Sequence, residues 1–119
     1  MSHKNSFEIQ PRPDAVVIRF FDQVDANTVE LTKHFIQKLV PKDASNLIVD
    51  LKHVKFIDSH GIGFFVSLLK RANKNDGHLF FVAATGQPAS VLEMVGFTSQ
   101  YVSYAEDVAT AETQIAKLL

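Results

Sequence analysis

Asp58, Ser59 and His60 are consecutive, and they are the three residue types of a serine-hydrolase triad. Neighbouring side chains on a turn diverge, so His60 is badly placed to deprotonate Ser59. The Gly-x-Ser-x-Gly frame of a nucleophile elbow is also missing. The five His, at positions 3, 34, 53, 60 and 78, include no His-x-x-x-His pair, so local spacing builds no metal site. Gly61-Ile62-Gly63 lacks the third glycine of a dinucleotide fingerprint, and no Gly-Lys-Ser/Thr follows it. The chain has no cysteine, which excludes thiol nucleophiles, thiolate metal sites and disulfide or redox chemistry. The expectation is a protein that is not an enzyme and that carries neither metal nor cofactor.

The same turn suggests a different chemistry. Asp58-Ser59-His60-Gly61 lies where an apolar strand hands over to a helix, so either Asp58 or Ser59 is the N-cap. A phosphate on Ser59 would face the N–H groups and positive end of that helix. It would add about −1.5 to −2 charges and three acceptor oxygens to any interface it touched, with His60 beside it. The residues alone leave two readings open: Ser59 as a plain cap, and Ser59 as a phosphoacceptor.

The elements that must position this turn follow from periodicity. Phe7–Gln10 reads as a first strand closed by Pro11 and Pro13, and Ala15–Phe21 as a second. Asn27 with Glu30 has the spacing of a capping box. Leu31, Phe35, Ile36 and Leu39 then recur at helical intervals up to Pro41. Leu47–Leu51 reads as a buried strand, with Asp50 its one polar interruption. The helix after the turn is expected to run to about Asn75 and to stop at Gly77. His78–Ala84 is a further strand, Gly86-Gln87-Pro88 a turn, and Ser90–Val95 a short helix ended by Gly96. Tyr101–Tyr104 is an edge strand, and Asp107 caps a last helix reaching Lys117. Strands alternating with helices after an opening hairpin predict a layered α/β sheet with parallel pairs.

In the helix after the turn, Ile62, Phe65, Val66 and Leu69 form the i, i+3, i+4, i+7 stripe expected to face the core. Phe64 and Leu68 lie off that stripe. They read either as the edge of a wide buried face or as a docking patch beside Ser59.

Composition sets the outer bounds. The 119 residues, 46% of them hydrophobic, suit one domain with a core that needs no staples. Twelve Lys and Arg against thirteen Asp and Glu give no basic excess for direct nucleic-acid binding. No apolar run approaches the ~18 residues of a membrane span, and the first residues lack an apolar signal core, so a cytoplasmic location is expected.

Leu47-Ile48-Val49-Asp50, followed by Asp58-Ser59-His60-Gly61-Ile62-Gly63, resembles the strand and the Asp-Ser-Ser/Thr-Gly-Leu/Ile-Gly motif of STAS domains. The likeness is in particular to bacterial anti-sigma factor antagonists. Val24-Asp25, Pro88 and Gly96-Phe97 support it, and the likeness spans nearly the whole chain. It implies a single STAS-like domain over residues 1–119, with a mixed central sheet and helices mainly on one face, and the first few residues are expected to lack order. It also implies a phosphorylation switch. A serine-kinase anti-sigma factor modifies Ser59, a metal-dependent serine phosphatase removes the phosphate, and only the unphosphorylated form binds the kinase and releases the sigma factor. The partner surface so implied comprises Asp25, Asp58, His60, Gly61, Ile62, Gly63, Phe64 and Leu68. Two departures stand out: His60 occupies a position where the family has a small residue, and Asp22 or Gln23 occupies a region that often holds Gly. The alternative is a non-catalytic STAS subunit of a transporter or lipid-trafficking assembly.

Overall fold

Val16–Val24 (β3) and Leu47–Ile57 (β4), two runs rich in Val, Ile, Leu and Phe, pair in parallel as the long central strands. The computed structural model describes residues 2, 3 and 6–119. Around these strands it places β1 (Ser2–His3), β2 (Phe7–Pro11), α1 (Ala26–Leu39), α2 (Ser59–Lys74), β5 (Leu79–Val82), α3 (Gly86–Met94), β6 (Ser103–Ala105) and α4 (Val108–Leu118). The sheet order is β1-β2-β3-β4-β5-β6, antiparallel up to β3 and parallel beyond it. The expectation of an unordered start bears partly on residues 1, 4 and 5, which lie outside the described residues. Ser2 and His3 pair with Glu8 and Phe7.

Each parallel connection moves one strand further in the same direction. Right-handed crossovers therefore put α1, α2 and α3 on one face. The main core lies there, with Ile18, Phe20, Val49, Leu51 and Phe81 packed against Val29, Ile36, Phe64, Phe65, Leu68 and Leu92. On the opposite face α4 sets Ala111 and Ile115 against Val17, Ile48, Phe80 and Val82. The layered α/β fold with helices mainly on one face is thus as expected.

Several local expectations need correction. The cap of α1 is Asp25, two residues before Asn27, and its carboxylate accepts the Thr28 N–H at 3.0 Å. Its buried face is Thr28, Val29, Thr32 and Ile36, while Leu31 and Leu39 are exposed. Thr32 is apolar in effect, because its hydroxyl donates to the Thr28 carbonyl at 2.6 Å. The Gly86-Gln87-Pro88 segment is the first turn of α3 rather than a free turn. A proline there removes an N–H that has no intrahelical partner in any case. At the end of α2, Asp76 rather than Gly77 takes the left-handed conformation (φ 57°). Gly77 is needed for space, since a Cβ would stand 1.9 Å from the Ser45 carbonyl oxygen.

Asp50 is not an isolated polar interruption. Its buried carboxylate accepts the Arg19 Nε–H at 2.8 Å, and Arg19 Nη1 donates to Glu8 at 3.0 Å. Glu8, Arg19 and Asp50 are register partners across β2, β3 and β4, so this triad pins three strands. The hydrogen bond to Asp50 raises the Arg19 pKa above its ordinary value against the opposing cost of burial.

Candidate functional site

The expected site gathers at the carboxyl ends of β3 and β4. Asp58, in extended conformation, is the N-cap of α2, and its Oδ1 accepts the His60 N–H at 2.8 Å and the Gly61 N–H at 3.0 Å. The choice between Asp58 and Ser59 as cap is thereby resolved, and Ser59 is left exposed at the first helical position. The exposed imidazole of His60 turns toward Asp58, with Nδ1 3.4 Å from Oδ2. Among the described residues no three His, Asp or Glu come together as a metal-binding group.

Two neighbouring elements clamp this turn. On one side the Asp58 N–H donates to the Val24 carbonyl at 3.2 Å, and Gly61 is pressed against the same oxygen. Asp25, the cap of α1, directly follows Val24, the residue whose carbonyl Asp58 and Gly61 meet. On the other side, Ile57 exchanges two hydrogen bonds with the side chain of Gln87. Asp22 takes a left-handed conformation (φ 66°) at an irregularity between β3 and β4. A left-handed residue is least costly as glycine, and a short polar side chain such as that of Asp22 is tolerated there.

The buried face of α2 is rotated from expectation: Phe65 is in the core as its stripe predicted, and Ile62 and Leu69 are half-buried against that core. Phe64 (4% exposed) and Leu68 (3%) belong to the core together with Gly61, Phe65 and Ala72, whereas Val66 is 38% exposed. Phe64 meets Phe20 edge-on, with ring centroids 6.3 Å apart. Neither Phe64 nor Leu68 lies at the surface as a docking patch would require. The physical reason is steric. Only glycine fits where α2 crosses β3, so the helix presents the Gly61 side of its first turn to the sheet, and Phe64, Phe65, Leu68 and Ala72 follow at helical spacing.

The residues at the edge of that buried face line a cleft. Ile62, Val66 and Leu69 form one wall of an apolar hollow of about 180 Å³, and Val95, Gly96, Phe97 and Tyr101 form the other. Gly96 adopts φ 94° as α3 ends, and the Tyr104 hydroxyl donates to the Phe97 carbonyl at 2.5 Å, fixing the second wall. Burial, helped by Glu93, pushes the Tyr104 pKa above its ordinary value. Ser59, Ile62, Gly63 and Val66 stand at i, i+3, i+4 and i+7, so the hydroxyl heads the same helix face that forms the cleft. Val66, Val95 and Tyr101 were not among the expected site residues. The signal for Val66 was that its stripe, continued past Leu69, meets the polar Asn73, whereas the stripe from Gly61 ends on Ala72.

A STAS domain family model matches residues 6–111, and the chain belongs to that family. Among curated proteins it is similar to the anti-sigma-B factor antagonist of Staphylococcus aureus. The two are 27% identical over 74 residues, covering 62% of this chain and 68% of that one. Among solved structures it is similar to a Thermotoga maritima protein (TM-score 0.82, 19% identity, 92% of this chain and 94% of that one). It is also similar to the Bacillus cell-fate determinant SpoIIAA in its phosphorylated form (TM-score 0.71, 20% identity, 96% and 100%). At such identities the structural likeness speaks to the fold alone. No described helix is long and apolar enough to cross a membrane.

Proposed function

We propose that this chain is a phosphorylation-switched anti-sigma factor antagonist of the cytoplasm, a binding module with no catalysis of its own. The unphosphorylated form docks a serine-kinase anti-sigma factor, which then releases its sigma factor. Phosphorylation of Ser59 ends the docking, and a metal-dependent serine phosphatase restores it. The observation that carries this reading is the division of labour at the turn: Asp58 caps α2, and the adjacent Ser59 is exposed at the head of an apolar cleft.

The switch follows from that arrangement. The Ser59 hydroxyl oxygen attacks the γ-phosphorus of the kinase's ATP, ADP leaves, and the hydroxyl proton passes to a base of the kinase. Because Asp58 already holds the His60 and Gly61 N–H groups, the new phosphate cannot fold back onto them without displacing a carboxylate. The dianion therefore stays at the surface, and the fold is left intact. A partner seated over Ile62, Val66 and Tyr101 would have to desolvate it beside the like-charged Asp58, which is costly unless cations pair with it.

Docking thus centres on Ser59, His60, Ile62, Gly63, Val66, Leu69, Val95 and Tyr101. Asp25, Asp58 and Gly61 shape the turn that presents them. Incubation with the host's serine-kinase anti-sigma factor and ATP, followed by mass spectrometry, tests the assignment. Phosphate on Ser59 supports it, and phosphate only on Ser45, Ser67 or Ser90 refutes it.

A further inference from the structure

β4 outruns β5. Pairing between them ends at Asp50 and Val82, yet β4 continues to Ile57, immediately before the Ser59 turn. Ile57 is buried, and its backbone groups need partners on the side where β5 has stopped. The side-chain amide of Gln87 supplies both: the Ile57 N–H donates to Oε1 at 2.9 Å, and Nε2 donates to the Ile57 carbonyl at 2.9 Å. One side chain thus does the work of a missing strand residue.

The chain is bent to bring it there. Between β5 and α3, Ala83 and Gly86 both adopt left-handed φ values, 56° and 58°, an unfavourable choice for alanine. Thr85, the N-cap of α3, makes no side-chain cap bond. Gln87 thus ties the first turn of α3 to the end of β4 by two hydrogen bonds. The helix that carries Gln87 in its first turn leads into Val95, Gly96 and Phe97 on one wall of the cleft. The helix that begins just past Ile57 supplies Ile62, Val66 and Leu69 on the other.

We propose that Gln87 is a positioning residue that registers the Ser59 turn against the far wall of the docking cleft, so that a partner seated on both walls finds the hydroxyl in place. This rests on the functional reading above. The clamp itself is testable without any partner, by NMR amide exchange on the whole chain carrying Gln87→Met, which keeps length and loses both hydrogen bonds. The expected result is at least tenfold faster exchange at Ile57, His60 and Gly61, with Val49 and Phe81 unchanged. Unchanged rates at the turn would overturn the proposal. So would equal acceleration at Val49, which would make Gln87 a general stabiliser. Should Gln87→Met fail to fold, Gln87→Glu carries the test, because it keeps the acceptor for the Ile57 N–H but sets an oxygen against the Ile57 carbonyl. With the serine-kinase anti-sigma factor and ATP, Gln87→Met should lower kcat for Ser59 phosphorylation at least fivefold with KM within twofold. An unchanged kcat contradicts the positioning role. A wild-type chain that takes no phosphate on Ser59 refutes the functional reading instead, and the exchange rates still decide the clamp.

Discussion

Gly61 lies so close to Val24 that a Cβ on it would stand 2.6 Å from the Val24 carbonyl oxygen. That contact sets the angle at which α2 leaves the sheet, and with it which side chains are buried and which line the cleft. Gly61→Ala should cost about 1–3 kcal/mol by overpacking. Gly63, two residues on, has nothing within 4 Å of the same position. Gly63→Ala should therefore stabilise the domain, by about 0.5–1 kcal/mol, because alanine is the better helix former. Urea denaturation of both variants separates close packing at Gly61 from an open surface at Gly63.

The capping of α2 predicts a contrast at Asp58. Asp58→Ala removes the acceptor of two N–H groups and should cost about 1 kcal/mol, whereas Asp58→Asn, an equally good cap, should cost little. Thermal denaturation compares them. Equal losses in the two variants would show that the charge, rather than the cap, holds the turn.

Phe64 and Val66 exchange the roles that their spacing suggested. Phe64→Ala should cost about 3–5 kcal/mol, since it empties a core position against Phe20. Val66→Ala should cost well under that and weaken partner binding. The succession of strands and helices along the chain, the motif turn and the Asp107 cap were legible in the sequence because each rests on local chemistry: β-branched runs, Pro and Gly punctuation, and an Asp before a helical period. The buried face of α2 was not legible from the period alone. Ile62, Phe64, Phe65, Val66, Leu68 and Leu69 make the helix apolar around much of its circumference, and the choice fell to a tertiary contact, Gly61 against Val24. The same limit hid Gln87, whose partner is 30 residues away.

The Glu8–Arg19–Asp50 triad was equally invisible, because only strand register aligns it. Arg19→Met should destabilise the fold by about 3 kcal/mol, since it leaves the Asp50 carboxylate buried without its cation. Arg19→Met combined with Asp50→Leu should recover most of that loss. Urea midpoints of the single and double variants measure it.

The central claim is that a phosphate on Ser59 breaks docking without disturbing the fold. Calorimetric titration of the serine-kinase anti-sigma factor with wild-type, Ser59→Ala and Ser59→Asp chains tests it most directly. The account predicts wild-type and Ser59→Ala binding of similar strength and Ser59→Asp binding at least tenfold weaker, about 1.4 kcal/mol, with unfolding midpoints alike in all three. Equal affinity of Ser59→Asp and wild type would contradict it.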